Sequence, residues 1–309
     1  MSMTKNRRRI VLGIAILLIL AVAMVGTSNF NKKITNSGTI QIVAGENFWG
    51  SLVSQLGGSH VHVTDVVSDP NADPHEYSSN TNTARAFASA NYVILNGAGY
   101  DSWGDKLLSA SSNNNRKVLR VADLLGKKEG DNPHFWYSSA YVNQVVSQME
   151  QDLIKIDPAD KSYFQQQYVT LQTALTDYQS RIAGIKQRFS GVKVAAIEDI
   201  VTYLTDAAGL DLISPPAFIQ AVAEGNDPPT NSVVEFQQQL QSGQPKVLVY
   251  NEQTITPLTD SIKKLATDQG IPIVGITETI QPPGTTFQGW MNSEVVNLQS
   301  ALNTLEMRR

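Results

Sequence analysis

One run of residues limits the possible folds more than any other. Phe164, Tyr168, Leu171, Leu175, Tyr178, Ile182, Ile185 and Phe189 recur at alternating spacings of four and three. That rhythm marks one apolar face of a continuous helix. The run opens at Asp157-Pro158, a capping carboxylate followed by a proline in the first turn. Such a helix spans roughly 45 Å for about 30 residues. A coiled-coil partner is one reading of the stripe. It is a single run between two regions of a different pattern, so it is expected to lie along the body of its own chain.

The flanking regions alternate apolar strands with short helices. Before the long helix, strands are predicted at Thr39–Ala44, Val61–Val67, Asn91–Gly97 and Val118–Val121, with helices at Phe48–Leu56, Thr81–Ala90, Asp105–Ser109 and Ser139–Ile156. After it, strands are predicted at Val192–Ile197, a short one at Leu212–Ile213, Val247–Tyr250 and Ile271–Ile276. Their helices fall at Ile200–Ala208, Ser232–Leu240, Leu258–Gln269 and Met291–Leu305. This alternation predicts parallel sheets with crossover helices. The expected class is α/β: two similar lobes with mainly parallel sheets, joined by one long rigid helix. The expected boundaries are 1–26 for an export signal or anchor, 27–38 for a polar linker, 39–156 for the first lobe, 157–190 for the linking helix and 191–309 for the second lobe.

The first 26 residues set the compartment. Lys5, Arg7, Arg8 and Arg9 precede an uncharged apolar run from Ile10 to Val25, the two parts of an export signal, and Ala21-Val22-Ala23 offers a cleavage site. The run is slightly short of the about 20 residues that a spanning helix needs. Retained, it would anchor the chain with its positive flank on the cytoplasmic side. Either way the remainder is expected outside the cytoplasm, in the periplasm or at the outer face of the cytoplasmic membrane. With no cysteine in the chain, thiolate metal sites, disulfides and a lipidated N-terminal cysteine are excluded. The net charge of −4 leaves no basic surplus beyond the N-terminus, so nucleic acid is not an expected partner.

Two of the four histidines stand in matching Pro-His-x-aromatic settings. These are His75, in Asp73-Pro74-His75-Glu76-Tyr77, and His134, in Asn132-Pro133-His134-Phe135-Trp136. Imidazole is the commonest metal ligand, and rigid loops present side chains rather than pack them. In the second lobe, Glu198 and Glu278 fall where strands end, with Glu252 a third such residue, and ligands of open α/β sheets bind beyond the carboxyl ends of strands. Two imidazoles and two carboxylates facing each other across a cleft would suit zinc, manganese or ferrous iron. The same glutamates could instead cap the helices or loops that follow, and spacing does not decide between these readings. His60 and His62 are read as residues of a strand's exposed face. Trp103, Trp136 and Trp290 are read as packing residues, with Trp136 also shielding the site from water.

These motifs, with Asn96-Gly97-Ala98-Gly99-Tyr100 and Trp103, make the chain similar to the zinc/manganese solute-binding proteins of bacterial ABC importers, the adhesin-lipoprotein-like family. The resemblance runs from Gln41 to Leu302. It implies two lobes on one long helix, with a metal buried between them and held by His75, His134, Glu198 and Glu278. Glu198 matches in Ala196-Ile197-Glu198-Asp199-Ile200, and Glu278 in Thr277-Glu278-Thr279, where the family often has aspartate. It also implies that the ion is cargo, handed to a permease with its cytoplasmic ATPase, and that the chain is no enzyme and acts as a monomer. Members that handle zinc often carry three histidines and a His-rich acidic loop; this chain has neither, which tilts the expectation towards manganese. Asp73, Asp131, Asp199 and the threonines beside Glu278 are candidates for orienting the ligands. Little closure of the lobes is expected, and binding should weaken below about pH 6, where protons compete for the imidazoles.

The rival classes are an exported zinc-dependent metallohydrolase, a surface adhesin with an incidental metal, and a binder of organic ligands. The hydrolase would need an open coordination position and a base, and neither a His-Glu-x-x-His helix nor a Gly-x-Ser-x-Gly elbow is present.

Overall fold

A computed structural model describes residues 38–69, 77–111 and 113–307. The export segment and His75 lie outside the described residues. Among the described residues no helix is long and apolar enough to cross a membrane.

The first lobe runs β1 (Ile40–Glu46), α1 (Asn47–Gly57), β2 (Val61–Val67), α2 (Thr81–Ser89), β3 (Tyr92–Leu95), α3 (Ser102–Ala110), β4 (Lys117–Arg120), α4 (Val121–Leu124) and α5 (Ser139–Ile156). After the long helix α6 (Lys161–Phe189), the second lobe runs β5 (Lys193–Ala196), α7 (Thr202–Ala207), β6 (Asp211–Leu212), α8 (Pro216–Ala223), α9 (Thr230–Gln241), β7 (Leu248–Asn251), α10 (Pro257–Asp268), β8 (Ile273–Ile276) and α11 (Phe287–Met307). The sheets are ordered β2-β1-β3-β4 and β6-β5-β7-β8. All their ladders are parallel, with Ile42 opposite Val63 on one side of β1 and Tyr92 on the other. The two lobes thus share one topology. In each, the strand order reverses beside the first strand, the place where open α/β sheets receive ligands.

The long helix is built as its stripe requires. Phe164, Leu171, Leu175, Tyr178, Ile182, Ile185 and Phe189 are all buried, and Tyr168 is half-buried. The helix packs on α11, α5 and α2's predecessor α1. One hydrophobic core runs from the inner face of the first sheet, across α6, to the inner face of the second. Smaller clusters cover the outer faces, around Phe87 and Trp103 in the first lobe and Phe218 and Phe236 in the second. Because α6 is cemented into a shared core, its central residues should carry stability for both lobes. Leu175→Ala, at a position with no exposed surface, is expected to cost about 2–5 kcal/mol. Urea denaturation followed by circular dichroism checks this, and a loss below about 1 kcal/mol would contradict the shared core.

Three local readings change. Pro158–Asp160 forms a 3-10 turn, with Asp157 accepting from the Ala159 amide, and the α-helix itself begins at Lys161. Pro216–Ala223, to which the sequence pattern assigns no helix, is a helix with proline in its first turn. Its few apolar residues between Pro-Pro and Gly225 are too short for a clear helical period. The last helix starts at Phe287, one turn before Met291, because Thr286 Oγ1 accepts from the Gly289 amide at 3.3 Å and offsets the weak helix propensity of that glycine.

Candidate metal centre

His134 comes from the loop between α4 and α5. Asn96, at the end of β3, fixes that loop by donating from Nδ2 to the Pro133 carbonyl at 2.9 Å, while its Oδ1 accepts from Trp49 Nε1 at 3.1 Å. The turn after Asn96 is equally constrained. Gly97, Ala98 and Gly99 all have positive φ, at 78°, 55° and 89°. A left-handed alanine costs on the order of 1 kcal/mol. Asp101 holds the turn by accepting from the amides of Asn96 at 2.6 Å and Gly97 at 2.8 Å. The product of this geometry is the placement of Tyr100, whose hydroxyl donates to Glu278 Oε2 at 2.7 Å across the lobes.

His134 is buried, and the surroundings of its ring settle its tautomer. Nδ1 lies 2.9 Å from Asn132 Oδ1 and 3.3 Å from Asp199 Oδ1, both acceptors. The proton therefore sits on Nδ1 and the lone pair on Nε2, the arrangement of a metal-ligating histidine backed by a carboxylate. Trp136 lies edge-on to the ring at 5.2 Å and stacks on Phe48 at 4.1 Å, so the tryptophan expected to wall off water is fully buried beside the site.

Glu198 follows β5 and Glu278 follows β8, and both are buried. Asn251, the last residue of β7, ties them together: its Nδ2 donates to Glu278 Oε1 at 2.7 Å and to Glu198 Oε2 at 3.1 Å. Glu198 Oε1 is buried with no hydrogen-bond partner. Among the described residues, no lysine or arginine is ion-paired with either glutamate. Burial and then the neighbouring Glu278 push the Glu198 carboxyl up to about 7, against weaker opposing hydrogen bonds from Thr254 and Asn251 and the pull of His134. For His134, burial is the largest single influence and acts downward. Asp199, Glu278 and Glu198 together outweigh it and leave the imidazole raised.

The structure brings His134, Glu198 and Glu278 near one another between the lobes, with Asn251 joining the two glutamates and both glutamates acting on the His134 ring, although their donor atoms do not all lie within 4.8 Å of one another. Glu252 is not part of it. Successive residues of a strand point to opposite faces, so Asn251 faces the site while exposed Glu252 turns away and covers Gly275. The site residues that sequence reasoning missed are Asn251 and Tyr100. An amide closing the apolar run Leu248–Tyr250 was the available signal for the first. Of the residues proposed to orient ligands, Asp199 touches the His134 ring, whereas Asp131 caps its own loop by accepting from the Lys128 amide. Thr277 is held from the other side by Glu294 Oε1, which also accepts from Trp290 Nε1 at 2.9 Å. A cleft of about 410 Å³ reaches His134 between Asn132, Asp199 and Ile219 of the unexpected helix α8.

Further contacts lock the lobes together here. Tyr137 Oη donates to the Thr277 carbonyl, Tyr203 Oη to the Asn132 carbonyl, and Asn132 Nδ2 to the Asp199 carbonyl, at 2.7, 2.8 and 2.7 Å. Removing the Tyr100 hydroxyl should loosen Glu278 without disturbing the fold. Tyr100→Phe is expected to weaken metal binding roughly 10- to 100-fold, in line with about 1.5–3 kcal/mol for a hydrogen bond to a charged group. A competition titration against a chelator measures it, and unchanged affinity would remove Tyr100 from the site.

Comparison with known proteins agrees with this architecture. A family model described as "ZnuA: Zinc-uptake complex component A periplasmic" matches residues 42–301. A curated relative, the manganese ABC transporter substrate-binding lipoprotein PsaA of Streptococcus anginosus, is 22% identical, with 93% of this chain and 96% of that protein covered. Among solved structures, the periplasmic zinc binding protein TroA of Treponema pallidum superposes with a TM-score of 0.73 at 15% identity, covering 86% of this chain and 99% of that one. The solute-binding protein FpvC of Pseudomonas aeruginosa, in complex with Mn2+, gives 0.72 at 17% identity over 86% and 99%. At such identities the structural likeness speaks for the fold alone.

Proposed function

Because this chain belongs to the ZnuA family of periplasmic zinc-uptake components, we propose that it captures one divalent transition metal ion outside the cytoplasm and delivers it to the permease of an ABC importer with its cytoplasmic ATPase. It is a binding protein and not an enzyme, and the metallohydrolase reading has no support. The ion is cargo. His134 through Nε2, Glu198 and Glu278 are the proposed protein ligands, with His75 of the Pro-His loop as the fourth. The observation that carries the reading is the pair of buried carboxylates. Glu198 and Glu278 share a single amide and, among the described residues, are ion-paired with no lysine or arginine, and one Glu198 oxygen has no partner. A buried anionic pair of this kind requires protons or a cation, and two carboxylates balance a 2+ ion.

The donor set favours manganese over zinc as cargo. Carboxylates that bind through both oxygens raise the coordination number beyond tetrahedral, and the chain lacks a third histidine at the site. Affinity alone would favour zinc at any nitrogen/oxygen site, so discrimination must rest on geometry and supply. The shared core and the interlobe hydrogen bonds support small lobe movements on binding. Names among the relatives, such as lipoprotein PsaA, support action at the outer face of the membrane; here the N-terminal segment is the proposed means of export or anchoring, and the protein acts as a monomer.

The test is metal content by mass spectrometry. Metal-stripped protein is offered manganese, zinc and ferrous iron together, beside a Glu198→Gln, Glu278→Gln variant. One ion per chain, absent from the variant, is the expected result. Equal retention by both proteins would discard this site.

A further inference from the structure

A second set of metal-ligating side chains lies away from the interlobe pocket. Among the described residues, His60, Asp157 and Asp160 are the one His/Asp/Glu group that can bring a donor atom each to within 4.8 Å of the others. They come from two distant parts of the chain. His60 is not on a strand, as its sequence suggested; it ends the 3-10 turn Gly58–His60 that precedes β2. Asp157 and Asp160 flank the 3-10 turn from which α6 rises. The elements are held together by packing that leaves the imidazole little freedom. Its ring lies 4.3 Å from Tyr163 and edge-on to Phe164 at 5.8 Å, and Tyr163 in turn covers Gly58.

Asp157 caps the turn in the ordinary way, its Oδ1 accepting from the Ala159 amide at 3.2 Å, but three further features stand out. Asp160 occupies the cap position of α6 but gives the helix no side-chain hydrogen bond; its Oδ2 meets His60 Nδ1 at 2.8 Å instead. Asp157 is nine-tenths buried. Among the described residues, neither aspartate is ion-paired with a lysine or arginine. The set is therefore two carboxylates and one imidazole, preassembled, with a charge that one divalent cation would neutralise.

We propose that His60, Asp157 and Asp160 form a second divalent-cation site that pins the foot of the linking helix to the first lobe. One nitrogen and two carboxylate donors suit a borderline ion such as zinc, cobalt or nickel better than calcium, which takes oxygen alone. Ligand atoms around such an ion stand about 3–4 Å apart at bond lengths of about 2.0–2.2 Å, so His60 Nδ1 and Asp160 Oδ2, now 2.8 Å apart, would part slightly to admit it. The ion inserts between Nδ1 and Asp160 Oδ2, and the ring proton then resides on Nε2. Water completes the coordination. The site is independent of the cargo site and half-buried, so its ion would be structural, bound more weakly, and not delivered.

Equilibrium dialysis against zinc tests this on the whole chain. Wild type should hold two ions per chain at saturation, and His60→Asn one. A His134→Ala chain should lose the tighter ion and keep the weaker, and the double variant should hold neither. Because His60→Asn could disturb the turn, Asp160→Asn is run in parallel, and each variant's zinc-dependent rise in melting temperature is followed in the His134→Ala background. The expected loss is roughly tenfold or more in affinity at the second site. One ion per chain in wild type, or two in both His60→Asn and Asp160→Asn, would overturn the proposal while leaving the cargo site untouched.

Discussion

Replacing His134 with alanine should abolish retention of the cargo ion. Among the described residues, this imidazole is the nitrogen donor placed beside Glu198 and Glu278, and its Nδ1 is already committed to Asn132 and Asp199. Loss of Nε2 removes a metal bond and leaves a cavity against Trp136. Breaking one partner out of a buried charged constellation costs about 3–5 kcal/mol, so affinity should fall by at least about 100-fold. Asp199→Asn should do far less, on the order of 10-fold, since it alters only the backing of the ring. Chelator competition at pH 7.5, checked by circular dichroism for intact folding, separates the two. If His134→Ala bound metal within a few-fold of wild type, the ligand assignment would be wrong even though the fold stands.

The second large effect is a pair of opposite responses to pH. Several buried carboxyls are displaced upward. Burial lifts Glu294 to about 7, against hydrogen bonds from Trp290 and Thr277. Glu198 reaches about 7 through burial and Glu278. Glu46 is wholly buried, with neither carboxylate oxygen hydrogen-bonded as an acceptor, and is raised by burial and by Asp101. Asp101 is raised by burial despite its amide bonds.

A carboxyl whose folded pKa exceeds its unfolded value binds more protons in the native state. Its contribution is thus fully present below the unfolded value near 4.5, and stability falls as pH rises from there to about 7. A shift like that of Glu198 corresponds to about 3 kcal/mol once pH exceeds 7. The raised His134 acts in the same direction, since its favourable contribution is also lost on deprotonation. Metal-free protein should therefore resist urea better at pH 5.5 than at pH 8.

Metal affinity must run the other way. The ion displaces the protons held at Glu198 and His134, so affinity should climb with pH through about 7 and level off above it. This window lies about a unit above the one that histidines alone would set. Urea midpoints at pH 5.5 and 8, with and without excess manganese, display both slopes. A metal-free midpoint higher at pH 8 would show that these carboxyls are not protonated in the native state.

Much of this protein is legible without coordinates. The four-three stripe from Phe164 to Phe189 becomes α6 because a helical period is a local property, and the strand–helix alternation yields two parallel sheets for the same reason. His134, Glu198 and Glu278 are candidates in the sequence because Pro-His loops and strand-end acids are written in consecutive residues, and the family resemblance, not their spacing, selects them as the proposed ligands. What the tertiary structure decided is what depends on side-chain direction and on distant partners. Asn251 rather than Glu252 enters the pocket because the strand's pleat turns neighbours to opposite faces. Tyr100 reaches Glu278 only through three consecutive left-handed residues. The proton on His134 Nδ1 is held by Asn132 in its own loop, and the charge of Asp199 reaches the ring only because that residue folds in from the other lobe; His60 meets Asp157 and Asp160 only because the foot of α6 packs on the turn before β2. Local periodicity specifies elements; the charge balance of a buried site exists only once elements far apart in sequence exclude water from the same place.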